Sequence, residues 1–344
     1  MQKFKTIFFC GHESPYGYSH LEPLLTSQVL DVSEVVLASY ERWNEFVSRL
    51  SGKTLRNSLF EKKCFNDRLD TVVQKIRSFK DCAILIEEDV NSKKNFQKVE
   101  KFDLAVSAAY PQIFEQGLIQ APRRHAVNFH PSLLPRCRGA HPIYWTIASQ
   151  EPYGGVSCHV MTEKLDAGDI IAQRRIDFDP KSITYSELYQ QAKIETIRLC
   201  KDVETFFTQN QTPVPQRGPV SYFRNDRDSD HKITFSNLDI GQISAKIRAG
   251  GAFALDPWGR KILFFPPVQI LEWMPDLNHG MNNEFKDGTV LEAEKKTVVL
   301  MCARSQVKFC YSFDKPKSRI LCKALRVMDL VVHNRRLKAG LILK

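Results

Sequence analysis

The sequence predicts an α/β chain built on a parallel sheet, followed by a small β domain. Three observations predict it. Up to residue 207, short apolar runs alternate with amphipathic stretches, the pattern of strands separated by helices. A polar segment with three prolines and no hydrophobic period, TQNQTPVPQRGP (208–219), then interrupts the chain. Beyond it, ILFFPPVQILEW, GTVLEA, TVVLMCA and VKFCYSF follow one another with turn residues between them, as in a small barrel. The domains so drawn are 1–207, a linker at 208–219, and 220–344.

Each element has a local reason. KTIFFCG (5–11) is a buried strand ended by Gly11. SHLEPLLTSQV (19–29) is read as a helix, because Leu21, Leu24 and Leu25 share one face. VSEVVLASY (32–40) is a second apolar run, DRLDTVVQKIRSFK (67–80) a helix, and CAILIEE (82–88) and FDLAVSAAY (102–110) strands. RHAVNFH (124–130) is the next strand and PIYWTIASQ a helix of about two turns. GGVSCHVM (154–161) and IIAQRRIDF (170–178) are strands joined by TEKLDAGD, whose Asp and Gly residues favour a tight turn. The long helix spans 182–207, with Ser182 or Thr184 as cap and Glu187 in its first turn.

The bulk properties bound the class. At 344 residues, two domains are expected, and 43 % hydrophobic with 26 % charged residues is ordinary for a globular protein. IFFC, near the N-terminus, is too short for a signal-peptide core, and no apolar run reaches the ~18 residues of a membrane span. The nine cysteines form no CxxC pair. Buried thiols in a reducing cytoplasm are expected, and no structural metal. Net charge is +10, concentrated at 301–344, where eleven Lys or Arg face only Asp314 and Asp329. Such a segment suits either a solvated surface or a polyanion such as RNA.

The chemistry gathers in NFHPSLLPRCRGAHP (128–142). Side chains alternate along a strand, so Asn128 and His130 face the same way at the strand's C-terminal end, where open α/β sheets bind ligands. Pro131 ends the ladder and keeps His130 extended. Asp166, in the LDAGD turn, is the carboxylate that would orient an imidazole. An amide and an imidazole aimed at one point stabilise an oxyanion, so the three suit acyl transfer with a proton relay. Arg136 and Arg138 are candidates for phosphate in an acceptor, and His141 follows them in the same loop.

These residues resemble the formyltransferases that use 10-formyltetrahydrofolate. NFHPSLLPRCRGAHPI followed by GVSCHVMTEKLDAGDIIAQ carries the likeness, and AYPQIF (109–114) is similar to that family's AYGQIL-type strand end. After the linker, the chain resembles the C-terminal domain of methionyl-tRNA formyltransferases, down to VMDLVVHNRRLKAGLIL near its end. The resemblance implies a Rossmann-like formyltransferase domain and an OB-like barrel. It implies that Asn128, His130 and Asp166 are catalytic, that Ser132 braces their loop, and that the pterin lies near Ala109, Tyr110, Gln112 and Ile113.

The chain departs from that family on the acceptor side. RGAHPIYW, with His141 and Trp145, stands where RGAAPIQ is common, and GHESPYGYSHLEPLL stands where a G-T-P-x-F loop is usual. The basic region 41–66 also lacks the familiar glycine-and-arginine pattern. A tryptophan near position 145 resembles formyltransferases of nucleotide-linked amino-sugars. The expected co-substrate is 10-formyltetrahydrofolate without a metal, and the expected acceptor is methionyl-tRNA held by the basic C-terminal segment. A sugar nucleotide is the alternative acceptor, and a non-catalytic RNA-binding protein of the same fold the alternative of another class. No membrane partner is expected.

Overall fold

The computed structural model describes residues 2–51, 59–235, 238–250, 252–255, 261–273, 290–293, 297–302 and 305–313. The chain divides into two compact units. The first comprises Met1–Ile143, Tyr153–Phe178 and Ser186–Asn225; the second comprises Tyr144–Pro152, Asp179–Tyr185 and the chain from Asp226 onward.

The first unit is built on strands β1 (Phe4–Cys10), β2 (Leu30–Ala38), β3 (Ala83–Glu87), β4 (Leu104–Ala108), β5 (His125–His130), the two-residue β6 (Arg138–Gly139), β7 (Tyr153–Val160) and β8 (Ile170–Asp177). Seven of them form one sheet in the order β3-β2-β1-β4-β5-β7-β8. From β3 to β5 all pairings are parallel, whereas β7 runs antiparallel to both β5 and β8. The sheet is therefore mostly parallel, and the expectation of a parallel sheet is corrected at this end. The β7–β8 connection is too short for a crossover, so the two strands close as a hairpin. The strand order reverses beside β1, whose neighbours are β2 and β4. That is the switch point at which open α/β sheets bind ligands.

Helices α1 (Pro15–Tyr18), α2 (Leu21–Leu25), α3 (Tyr40–Ser51), α4 (Leu59–Phe79), α5 (Lys93–Val99), α6 (Gln116–Gln120), α7 (Pro142–Ala148) and α8 (Tyr185–Thr208) follow in chain order. The helix expected over 19–29 is shorter, α2 at Leu21–Leu25, and the separate α1 precedes it. Proline explains the break. Pro15 starts α1, while Pro23 has no N–H to bond the Ser19 carbonyl, so one continuous helix is barred. In α2 Pro23 lies in the first turn, where the N–H groups have no helical partner anyway. Helix α8 packs through Leu188, Ala192, Leu199, Val203, Phe206 and Phe207, all buried. One core cluster joins Ile7, Phe9, Val36, Ala105 and Ala126 of the sheet to Val99, Phe102, Phe114 and Leu118. Burial of side chains of this size contributes about 1.5–3 kcal/mol each.

A ninth strand, β9 (Tyr222–Phe223), pairs in parallel with β6. In the second unit, α9 (Asp228–His231) precedes α10 (Ile240–Ala249). Asp239 caps α10: its Oδ1 accepts from the Gln242 amide at 2.7 Å and its own amide donates to Gln242 Oε1 at 3.0 Å. Strands β10 (Phe253–Leu255), β11 (Lys261–Trp273), β12 (Val290–Ala293), β13 (Thr297–Cys302) and β14 (Ser305–Phe313) form an antiparallel sheet in the order β10-β11-β14-β13-β12. The expected succession of short strands is present. Trp258, the NHGMNN loop (278–283), residues 314–344 of the basic segment and 52–58 of the basic region lie outside the described residues. No helix among the described residues is long and apolar enough to cross a membrane.

Candidate active site

β5 ends in the first unit with Asn128, Phe129 and His130, flanked by β4 and β7. Its register with β7 sets Asn128 opposite His159 and His130 opposite Ser157. Opposed residues of antiparallel strands share a face. Four polar side chains (Asn128, His130, Ser157 and His159) therefore stand together, while Phe129 and Cys158 face the other way. Phe129 packs edge-on against His20 there, with centroids 4.8 Å apart.

Asp166 reaches this face from the β7–β8 turn. Its Oδ2 lies 3.7 Å from His130 Nδ1, and its Oδ1 lies 3.4 Å from His159 Nε2. The Gly139 amide donates to Oδ2 at 2.8 Å. Burial pushes this carboxyl up. The His130 charge, the hydrogen bond and charge of His159, and the Gly139 amide together outweigh burial, and Asp166 is held well below the usual carboxylate range. The structure thus brings Asn128, His130 and Asp166 together and adds His159, which the sequence reading passed over. Its ring is 2 % exposed. Its Nδ1 lies 2.9 Å from the Val160 carbonyl, and its Nε2 lies 3.4 Å from both Asn128 Nδ2 and Asp166 Oδ1. His159 thus stands between the Asn128 amide and the Asp166 carboxylate, in contact with both.

The loop after β5 is held from beneath. His130 Nε2–H donates to the Cys137 carbonyl at 2.9 Å, and Ser132 Oγ donates to the Arg136 carbonyl at 2.8 Å. Ser157 Oγ donates to the Ser132 carbonyl at 2.6 Å and accepts from the Leu134 amide at 3.1 Å. Gln173, paired with Ser157 on β8, donates to Ser157 Oγ and to the Leu134 carbonyl. The buried Ser157 and the half-buried Gln173 thus clamp the PSLLP run, and neither stood out in the sequence.

The two arginines part company. Arg136 lies over the ring of Tyr153, with Arg175 over the same ring. Tyr153 begins β7 and His159 lies near its end. The Arg136 guanidinium therefore lies toward the start of β7, roughly 13 Å at the usual strand rise from Ser157, which stands opposite His130. Arg138 turns inward: Nε and Nη2 donate to Gln216 Oε1 at 3.1 and 2.7 Å. His141 is exposed and in the left-handed region, at φ 49°.

The suggested pterin wall occupies the loop after β4. Ala109 has φ 50° and lies against Gly11, whose missing Cβ would stand 1.9 Å from the Ala109 carbonyl oxygen. Tyr110 packs edge-on against Phe9 and Phe114. Its buried hydroxyl has no hydrogen-bond partner among the described residues. Gln112 accepts from the Val90 amide at 3.0 Å and donates to Asp89; Asn91 donates to the Ile113 carbonyl at 2.9 Å. Ile113 itself is 65 % exposed. At the end of β1, the buried His12 has neither ring nitrogen hydrogen-bonded among the described residues, and burial pushes its pKa down to about 4. No group of three or more His, Cys, Asp or Glu among the described residues is placed to hold a metal ion.

Residues 71–200, which contain all of this chemistry except the loop after β1, match the model of the formyl transferase family. The chain also resembles curated proteins over a wider span. It is 29 % identical over 208 residues to the methionyl-tRNA formyltransferase of Natranaerobius thermophilus, covering 59 % of this chain and 64 % of that protein. The match thus spans less than two thirds of the relative's own length. Among solved structures, the N-formyltransferase from Helicobacter canadensis, in complex with folinic acid and dTDP-3-aminofucose, is 17 % identical with a TM-score of 0.56, over 91 % of this chain and 100 % of that one. HypX from Aquifex aeolicus, in complex with tetrahydrofolic acid, is 15 % identical with a TM-score of 0.55, over 94 % of this chain and 48 % of that one. At these identities, the two structures show a shared fold.

Proposed function

We propose that the protein transfers a formyl group from 10-formyltetrahydrofolate to a primary amine, the amino group of methionyl-tRNA. The carrying observation is the convergence of Asn128, His130 and Asp166 at the C-terminal mouth of the sheet, within the residues that match the formyl transferase model. The acceptor nitrogen attacks the formyl carbon, the bond from that carbon to the folate nitrogen breaks, and the amine's proton leaves as the folate nitrogen gains one. Asn128, in contact with His159, supplies an amide N–H to the oxyanion that forms. His130, whose Nε2–H is held by the Cys137 carbonyl, adds the second stabilising group when it releases that bond. Asp166, held ionised, balances positive charge on the neighbouring imidazoles and helps carry the proton. The 3.7 Å between His130 Nδ1 and Asp166 Oδ2 is longer than a hydrogen bond, and such contacts commonly tighten when substrate binds. Ser132 acts as a brace and leaves the chemistry to the trio.

The 109–113 loop, with the Tyr110 hydroxyl, and the Asp166 loop would receive the pterin. The five-stranded sheet of the second unit is proposed to belong to an OB-like barrel that assists acceptor binding, with 1–207 as the catalytic domain. A methionyl-tRNA acceptor is favoured by the names of the sequence relatives and by the basic C-terminal segment. A nucleotide-linked amino-sugar is the second reading. It is favoured by the Helicobacter canadensis structure, which matches 91 % of this chain.

An acceptor screen tests the proposal. Purified protein is mixed with 10-formyltetrahydrofolate and charged initiator tRNA, or with nucleotide-linked amino-sugars, and tetrahydrofolate release is followed. Formylated methionyl-tRNA is the expected product. Reaction with amino-sugars alone would replace the tRNA reading with the second.

A further inference from the structure

We propose that Gln216 is a positioning residue for the Asp166 loop, and that the stretch 214–223 is a strap fixing both loops of the site rather than a passive connection. The inference rests on the formyl-transfer reading for its catalytic consequence, while its structural part stands apart from it.

The strap touches the site at three points. Val214 pairs with Ile170, both amides bonding the opposite carbonyl, at 2.8 and 2.9 Å. Ser221 and Phe223 accept from the amides of Arg138 and Ala140 at 2.9 and 3.0 Å, and Ser221 Oγ accepts from the Cys137 amide at 2.8 Å. Between these points stands Gln216. Its Nε2 donates to the carbonyls of Asp166 at 2.8 Å and Gly168 at 2.7 Å, and its Oε1 accepts the Arg138 fork. The carboxamide has two donor hydrogens and two acceptor positions, and all four are used.

That saturation matters because of what the backbone does at Asp166. Asp166 has φ 51°, a conformation that L side chains adopt reluctantly and keep when surrounding bonds over-determine it. Gln216 grips the carbonyls of Asp166 itself and of the residue two further on. The same Arg138–Gly139 segment that it anchors sends the Gly139 amide to Asp166 Oδ2. One side chain therefore couples the loop carrying the carboxylate to the loop carrying its hydrogen-bond donor. The strap approaches so closely that a Cβ on Gly139, at φ 93°, would stand 2.0 Å from the Phe223 carbonyl oxygen. This also gives Arg138 an assignment: it holds the strap through two of its nitrogens. Gln216 lies beyond residues 71–200, outside the matched family region.

The test compares wild type, Gln216→Ala, Gln216→Glu and the exposed neighbour Arg217→Ala as control, all in the full chain. Hydrogen exchange of the Gly139 and Ala167 amides reads the loop coupling without any substrate. Both amides are expected to exchange at least about tenfold faster in Gln216→Ala, with the melting temperature within about 2 °C of wild type. Formyl transfer is expected to fall about tenfold in kcat, with KM for the acceptor within about twofold, because aim rather than binding is lost. Gln216→Glu keeps an acceptor for Arg138 but sets a carboxylate against two carbonyls, so it is expected to match Ala in both readouts. Unchanged exchange in Gln216→Ala, or a kcat loss only in step with global unfolding, would overturn the proposal. A wild type that exchanges as described but transfers no formyl group would instead overturn the functional reading and leave the strap standing.

Discussion

Asp166 gathers contacts from three parts of the fold: His130 on β5, His159 on β7 and the Gly139 amide. Removing its charge with Asp166→Asn keeps the shape and deletes the ionised partner. We expect kcat to fall by about 10²–10⁴, measured as tetrahydrofolate release. The pH dependence of stability follows from the direction of its shift. The folded-state pKa lies below the unfolded value, so its stabilising contribution is present above pH about 4 and is lost as pH falls toward the folded value. The stability difference between wild type and Asp166→Asn, read from urea melts, should therefore be largest near neutrality and shrink in acid. His159→Phe removes the ring that contacts both Asn128 and Asp166, and kcat should drop by about tenfold with little change in KM. The N-x-H spacing made Asn128 and His130 legible, because strand alternation puts them on one face. His159 was not legible for the converse reason: a lone histidine within GGVSCHVM reads as part of a buried strand. Its signal is the alternation of Ser157 and His159, a polar pair of period two in a strand buried on both faces.

At the scale of elements, two glycines carry close approaches that larger residues would break. A Cβ on Gly168 would stand 1.9 Å from the Val160 carbonyl oxygen, so Gly168→Ala should push the Asp166 loop outward and lower kcat by at least about tenfold. The same substitution at Gly11 meets the Ala109 carbonyl oxygen. It should cost about 1–3 kcal/mol in a denaturant melt, from overpacking at the β1–β4 mouth. The strands of the main sheet were legible because their apolar runs are short and bounded by turn residues. The antiparallel direction of β7 was not, since alternation fixes faces but not direction. β6 and β9 were invisible because each has two residues and their partners, Arg138 and Tyr222, are far apart in sequence. The short span of α2 was written in Pro23, yet the leucine spacing masked it. The polar stretch 208–219 reads as a linker by composition, and composition cannot show that Gln216 and Val214 are bonded to the first unit.

At the scale of the whole molecule, an excess of ten positive charges and a basic C-terminal segment bear on the acceptor rather than on the transfer step. If the acceptor is a tRNA, log(kcat/KM) for it should fall steeply and linearly with log salt, as phosphate contacts release counterions, while KM for 10-formyltetrahydrofolate changes little. A salt-independent acceptor KM would favour a small amine. The central claim is that this site moves a formyl group from folate to an amine. Its most direct test is tetrahydrofolate release from 10-formyltetrahydrofolate, with charged initiator tRNA and amino-sugar nucleotides offered in parallel, in wild type and Asp166→Asn. Acceptor-dependent release by wild type, reduced by at least about a hundredfold in Asp166→Asn, is the predicted result. No acceptor-dependent release by wild type, or full activity in Asp166→Asn, would contradict it.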